Sequence, residues 1–203
     1  PWKKLNIDLV IESSGFFTKK DGAMKHINAG AKKVLISAPS DDADVTLVKG
    51  VNEHIYDKKQ IIVSNASCTT NCASPMAKVI NDNFTIEKGF IITTHAYTAT
   101  QKLVDSPDPK DPRRGRSAAV NIVPSTTGAA EAVIKTIPEL KGKLDGFAMR
   151  VPVPSGSIIT LTALTKKSTT VDEVNKLFLS VSQYHMKGIL EYTEDPIVST
   201  DII

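Results

Sequence analysis

Ile61-Ile-Val-Ser-Asn-Ala-Ser-Cys-Thr-Thr-Asn-Cys72 decides how the chain reads. The β-branched apolar run Ile61 to Val63 has the character of a buried strand. A polar turn, Ser64 to Ser67, ends it and delivers Cys68 to a position where a helix can begin. Ser67, Thr69 and Thr70 beside the cysteine suit a helix N-terminus. A thiol there faces unpaired N–H groups and the positive end of the helix dipole. That setting favours thiolate, the nucleophilic form. The opposing reading is a buried structural cysteine, the commoner state of a lone free thiol. Cys72 lies one helical turn on; a zinc site would need two more ligands of suitable spacing, and none is nearby, so Cys72 reads as helix packing and no metal is expected. The start of the helix is ambiguous. Ser74-Pro75 is itself a good local N-terminus, because proline suits the first helical position. Starting at Cys68 instead puts Pro75 inside the helix, at about 3 kcal/mol unless it lies in the first turns.

Upstream, Ile7 to Glu12 and Lys33 to Ala38 are strand candidates. A helix across Lys19 to Ala29, capped by Thr18 and stopped by Gly30, separates them. Strand, helix, strand within about thirty residues is a βαβ unit and predicts parallel pairing. Val45 to Val51 and Gln60 to Val63 add further strands, so the first third reads as part of an α/β nucleotide-binding sheet. The glycine-rich G-x-G-x-x-G turn and the acidic ribose partner that usually open such a domain are not in the sequence.

Downstream, Phe90 to Tyr97 alternates as a strand with His95 near its end. Thr98 to Ser117 is rich in proline and poor in apolar residues, a long loop of the kind that is usually functional. Three of the chain's four arginines, Arg113, Arg114 and Arg116, sit in it; the fourth is Arg150. Arginine offers a planar two-pronged grip on phosphate or carboxylate, so this concentration points to an anion; an exposed basic loop paired with acidic neighbours is the bland alternative. Thr126 to Lys135 reads as a helix capped by Thr127. Gly146 to Pro154 and Ser157 to Leu164 read as strands. Thr170-Val-Asp-Glu173 is a capping box opening a helix to about His185, with Val174, Leu177, Phe178 and Val181 as its buried stripe. Early alternation followed by strand-rich sequence predicts an α/β chain. A parallel sheet over 1–67 precedes an α+β unit over 68–203 with a mostly antiparallel sheet.

Apolar residues at 41% and charged residues at 23% describe an ordinary globular protein, and no apolar run approaches the roughly 20 residues of a membrane span. Two cysteines argue against a disulfide framework and fit a reducing, cytoplasmic setting. A net charge of +3 is too mild to suggest nucleic-acid binding. The histidines are His26, His54, His95 and His185, each by default an ordinary surface or core residue. Position singles out His95, the candidate base for Cys68.

Ser64-Asn-Ala-Ser-Cys-Thr-Thr-Asn-Cys72 resembles the active-site signature of the glyceraldehyde-3-phosphate dehydrogenase family. Ile11-Glu-Ser-Ser-Gly-Phe-Phe-Thr18, Ser37-Ala-Pro-Ser40, His95-Ala-Tyr-Thr-Ala-Thr-Gln101, Ser125-Thr-Thr-Gly-Ala-Ala130 and Met149-Arg-Val-Pro152 follow in the family's order. The resemblance implies an oxidoreductase with Cys68 as nucleophile and His95 as base, forming a hemithioacetal and then a thioester. It implies Ser67, Thr69, Thr127, Gly128 and Arg150 at the site for attacking phosphate. Thr98, Arg114 and Arg150 would hold the phosphate of glyceraldehyde 3-phosphate. Ser14, Gly15, Phe17 and Ser37 resemble the lining of the adenine and ribose side of an NAD site; NADP stays open, because the residue that selects between them is not in the sequence. The loop after Tyr97 resembles one found at a subunit interface near the cofactor, and a homotetramer is implied for the full-length protein. The sequence resembles an internal fragment, which alone is expected to be inactive. Erythrose-4-phosphate dehydrogenase, a nicotinamide-independent thiol hydrolase or acyltransferase, and an RNA-binding protein using the basic loop are the competing readings.

Overall fold

The computed structural model describes residues 1–203. β1 (Leu9–Glu12), α1 (Lys20–Asn28) and β2 (Lys33–Ile36) form the expected strand–helix–strand unit, with β1 and β2 parallel. β3 (Val45–Thr46) and β4 (Ile62–Ser64) complete an all-parallel sheet in the order β1-β2-β4-β3. Val34, Ile36 and Ile62 are fully buried against Ala23 of α1, the small core this half can assemble. Such apolar strands suit a sheet covered by helices.

The rest is a mixed sheet with helices on one face. α2 (Cys68–Phe84) leads into β5 (Ile86–Ala96), and β6 (Val123–Ser125) follows the long loop. Then come α3 (Ala129–Thr136), β7 (Leu144–Val151), β8 (Ser157–Thr165) and α4 (Val171–Gln183). The order is β6-β7-β5-β8; β5 and β7 run parallel, and the outer pairings are antiparallel. Strand period then assigns the faces. Ile91 and Thr93 of β5 are buried toward α2 and α3, whereas Phe90 points outward beside Phe147. Val48, Val51 and Ala66 join the same core as α2, β5 and α3, so the two sheets share packing. Lys135 of α3 also pairs with Asp41 at 2.7 Å.

Several local expectations give way to tertiary contacts. Thr18 does not cap α1; the N-cap is Lys19, and the Lys20 N–H donates instead to Asp42 at 2.9 Å from the loop after β2. The strand expected over Val45 to Val51 stops at Thr46, because Asn52 folds the chain back. Its amide accepts from Val48 N–H and donates to Thr46 C=O. Gly128, not Thr127, is the N-cap of α3, although the Thr127 hydroxyl accepts from the Ala129 N–H. β6 lies beyond the long loop, in a stretch to which the sequence reading assigned no element. The capping box of α4 forms as read, but its apolar stripe is only half-buried.

One polar cluster anchors the end of β1. Glu12, 5% exposed, accepts from Ser14 N–H and Ser14 hydroxyl, and its other oxygen lies 2.9 Å from Nε2 of His26. The Trp2 indole N–H donates to Nδ1 of that histidine at 3.1 Å. Burial alone would push the Glu12 carboxyl up, but the hydrogen bonds from Ser14 and His26 outweigh it and hold Glu12 below the usual carboxylate range. A carboxyl depressed on folding stabilises the fold above its unfolded value, and that contribution fades as pH falls through the folded one.

Glu12→Gln is therefore expected to lower stability by about 1–3 kcal/mol near neutral pH, since it weakens a buried charged hydrogen-bond set. In denaturant titrations across pH the gap to the unmodified protein should close in acid; a gap independent of pH would show that ionised Glu12 contributes nothing. Gly146→Ala tests the β5–β7 seam. A Cβ at Gly146 would lie 2.4 Å from the Ile91 carbonyl oxygen, so the strands must part. A loss of about 1–3 kcal/mol is expected by thermal or chemical unfolding.

Candidate active site

The helix that carries Cys68 begins at Cys68, so the Ser74-Pro75 start is not used. Ser67 is the N-cap: its hydroxyl accepts from Thr70 N–H at 3.0 Å and pairs with the Thr70 hydroxyl at 2.7 Å. Asn71 donates its side-chain amide to the carbonyls of Asn65 and Ser67, tying the first turn back to the strand exit. Before the cap, Ala66 adopts a left-handed backbone (φ +56°) although it carries a Cβ and is buried. That conformation costs about 1–2 kcal/mol. It is held by the Ser64 hydroxyl, which accepts from Ala66 N–H and donates to Ala38 C=O. Ser74 is buried and pairs with the Thr136 hydroxyl of α3 at 2.9 Å. Pro75 sits inside the helix, in its second turn, where its burial contributes packing.

The other half of the site comes from the strand ends. His95 lies on the same face of β5 as Ile91 and Thr93, the face covered by α2. Near the end of the strand that face opens beside the helix start, and Nε2 of His95 lies 3.3 Å from Sγ of Cys68. In the parallel register His95 is level with Arg150 of β7, so both side chains project on one face. Nη1 of Arg150 stands 2.6 Å from Nδ1 of His95 and 3.0 Å from the Ala96 carbonyl oxygen. Nδ1 itself is 2.7 Å from that oxygen. Burial draws the Arg150 guanidinium down; Cys68 opposes this and Arg114 adds to it. Crowding by protein, and then Cys68, push the Cys72 thiol up. The two cysteines of one helix therefore occupy unlike settings.

The remaining candidates divide. Thr69 is buried, with its hydroxyl 3.9 Å from Sγ of Cys68. Thr98 is half-buried and pairs with the Thr100 hydroxyl. Arg113 and Arg116 form ion pairs with Asp111 and Asp105, whereas Arg114 has no carboxylate partner and lies close enough to act on Arg150. Thr127 lines a cavity of about 420 Å³ with Arg113, Ser125, Thr126 and Phe147. No hydrogen bond joins Thr127 or Gly128 to Cys68, His95 or Arg150. The β6–β7 register explains this: Ser125 is level with Ala148, and the chain leaves the sheet on the side away from Arg150.

At the C-terminal ends of β1 and β2 lie Ser14, Gly15 and Ser37. Gly15 has φ +79°, and open space stands where its Cβ would be. The Ser37 hydroxyl donates to Glu12 C=O and pairs with the Ser13 hydroxyl, which can supply the proton of that second contact. Phe17 packs edge-on against His26, inside rather than toward the open side. The sequence reading missed Glu12, His26 and Trp2 behind this turn, and Asn71 and Ala66 beneath Cys68. Only the Ser-Ser-Gly turn and the asparagine in the helix's first turn hinted at them.

The amino-acid sequence is matched by known proteins. The family model for glyceraldehyde 3-phosphate dehydrogenase, C-terminal domain, matches residues 67–203. The chain is 57% identical over 204 residues to glyceraldehyde-3-phosphate dehydrogenase 2 of Streptomyces avermitilis, covering 100% of the chain and 61% of that relative. It is 55% identical over 203 residues to glyceraldehyde-3-phosphate dehydrogenase of Mycolicibacterium smegmatis, covering 100% of the chain and 59% of the relative. The enzyme of that name from Mycobacterium tuberculosis is 54% identical over 203 residues, with 100% of the chain and 60% of the relative covered. The chain thus spans about three fifths of the length of these curated relatives. With its family model reaching over two thirds of the residues, the chain belongs to the glyceraldehyde 3-phosphate dehydrogenase family.

Proposed function

We propose that the protein containing this chain oxidises glyceraldehyde 3-phosphate to 1,3-bisphosphoglycerate in glycolysis, with NAD as hydride acceptor. The observation that carries this reading is the 3.3 Å approach of Sγ of Cys68 to Nε2 of His95 at a helix start, with Arg150 beside the pair. The Cys68 thiolate adds to the aldehyde carbon: a C–S bond forms, the carbonyl π pair moves onto oxygen, and that oxygen takes a proton from Nε2 of His95 to give the hemithioacetal. First-turn N–H groups of α2 face the oxygen that gains charge. Nε2 of His95 takes the hydroxyl proton of the hemithioacetal as hydride leaves the same carbon. A bound nicotinamide supplies the acceptor for that hydride. An oxygen of inorganic phosphate then attacks the thioester, and the C–S bond breaks to restore the thiolate.

Arg150, Arg114 and Thr98 are assigned to the substrate phosphate, supported by the lack of a carboxylate partner for Arg114. Thr69 and Arg150 are assigned to the attacking phosphate; Thr127 and Gly128, which no hydrogen bond joins to Arg150, are assigned there on the family resemblance alone. Ser67 contributes mainly as the cap, since its hydroxyl is already engaged. For the cofactor, the open backbone at Gly15 and the hydroxyls of Ser14 and Ser37 fit an adenine–ribose segment, outside the carboxyl ends of parallel strands. NADP is a weaker alternative. Residues 1–67 are assigned to the cofactor domain and 68–203 to the catalytic one. The outward face of the second sheet exposes Phe90, Phe147, Ile158 and Leu164 on adjoining strands, which supports self-association to the homotetramer. Two free thiols support a cytoplasmic location. The 203 residues alone are assigned no turnover, because they span about three fifths of the relatives and lack the glycine-rich turn.

Iodoacetamide should alkylate Cys68 about tenfold or more faster than Cys72, as read by peptide mass spectrometry. Equal rates would remove the support for an activated Cys68. In the complete protein His95→Asn should lower NADH formation by about 10²- to 10⁴-fold with the fold intact. Withholding inorganic phosphate should nearly abolish steady-state oxidation of glyceraldehyde 3-phosphate. A rate indifferent to phosphate would point to thioester hydrolysis, the erythrose 4-phosphate reading. NADH formation by the isolated 203-residue chain would contradict its assigned inactivity.

A further inference from the structure

A buried carboxylate lies beneath the turn assigned to the cofactor. Glu12 is 5% exposed, whereas the turn above it is open to solvent, with Phe16 85% exposed. Every group facing the Glu12 carboxylate is a donor. Ser14 N–H, at 2.7 Å, and the Ser14 hydroxyl both donate to Oε1, and Nε2 of His26 lies 2.9 Å from Oε2. The contacts of that ring agree on where its proton lies. The Trp2 indole N–H can only donate, so Nδ1 supplies a lone pair and Nε2 carries the proton toward Glu12. The Ser14 hydroxyl in turn accepts from Phe16 N–H at 3.2 Å. The carbonyl of Glu12 holds the neighbouring strand end, accepting from Ser37 N–H at 3.0 Å and from the Ser37 hydroxyl at 3.2 Å. One residue thereby fixes the backbone on both sides of Gly15, whose φ of +79° leaves open space where a Cβ would be.

We infer that Glu12 is a positioning residue for the cofactor: it sets the shape of turn 13–16, against which the adenine–ribose segment of NAD is held. The role rests on the cofactor assignment made above. A carboxylate is required because the groups converging on it all donate; an amide at this position would set its own N–H groups against those of Ser14 or His26. The hydrogen bonds to it are charge-assisted, the stronger kind, and they outweigh burial in keeping the carboxyl ionised. With its hydrogen given to Glu12, the Ser14 hydroxyl meets a ligand only as an acceptor, which suits a ribose hydroxyl. The anchoring reaches the turn from two other segments, since Trp2 precedes β1 and His26 belongs to α1. Without that support an exposed turn built on serine and glycine samples many shapes, and the ligand must bear the cost of ordering it.

The test uses the complete protein carrying Glu12→Gln, with ADP-ribose and NAD as probes. Calorimetry should find ADP-ribose bound about tenfold more weakly, the loss expected when the turn keeps its shape about a tenth of the time. KM for NAD should rise by a similar factor, with a far smaller change in kcat. Hydrogen–deuterium exchange, read by peptide mass spectrometry, should quicken more at the Ser14 and Phe16 amides than in β2 and β4, whose exchange follows the general loss of stability. A folded Glu12→Gln protein with unaltered ADP-ribose affinity overturns the inference. So does weaker binding accompanied by equal quickening everywhere, which is loss of fold stability alone. Trp2→Phe serves if Glu12→Gln does not fold, because it keeps an aromatic ring and removes the indole N–H. It should quicken the same two amides and weaken ADP-ribose binding by about twofold or more; no change in either overturns the inference. If the unmodified complete protein binds no ADP-ribose, the cofactor assignment fails and the positioning role fails with it. If it binds and the variants bind equally well, the positioning role alone fails.

Discussion

The parallel seam between β5 and β7 is the constraint on which the site depends. Two strands paired in parallel carry level residues on the same face, so His95 and Arg150 cannot avoid one another. The same seam forbids a side chain at Gly146, where the neighbouring backbone passes too close for a Cβ. Ile91 and Thr93 keep that face pressed on α2, and so the strand end emerges beside the first turn of the helix. Cys68 therefore meets a ring and a guanidinium whose spacing was set by backbone hydrogen bonds.

A second constraint acts from the other side. The chain must turn from β4 into α2 within Asn65 to Ser67, and it does so through a left-handed alanine. The energy of that turn is offset by hydroxyls and amides arranged around it: Ser64, Ser67 and Asn71. Polar residues dominate this stretch because each answers a backbone group that the sharp turn leaves open.

What the sequence revealed follows the range of the interactions involved. The strand–helix–strand unit, the capping box at Thr170 and the cysteine at a helix start are written in neighbouring residues, and the structure contains all of them. Features that depend on distant partners were not legible. Asp42 takes the capping task from Thr18 across 22 positions, and His26 reaches Glu12 across 14. Asn52 ends a strand whose residues looked able to continue it. Ser74-Pro75 is the instructive case: serine before proline is a good local helix start, yet the hydroxyl is spent on Thr136 in another helix. Among the site residues, Cys68 and His95 stood out by position, whereas the unpaired state of Arg114 emerges only once the acidic neighbours of Arg113 and Arg116 are located.

Pro75 has a consequence for how the thiol is held. It has no N–H, so the carbonyl of Asn71 lacks its partner one turn on, and the ladder of α2 is interrupted between the turns bearing the cysteines and the rest. The segment ahead of the gap is retained by side-chain latches, while the segment behind it is retained by a continuous run of main-chain bonds. Cys68 stands exposed on that front segment, so its chemical modification requires no unfolding of the protein.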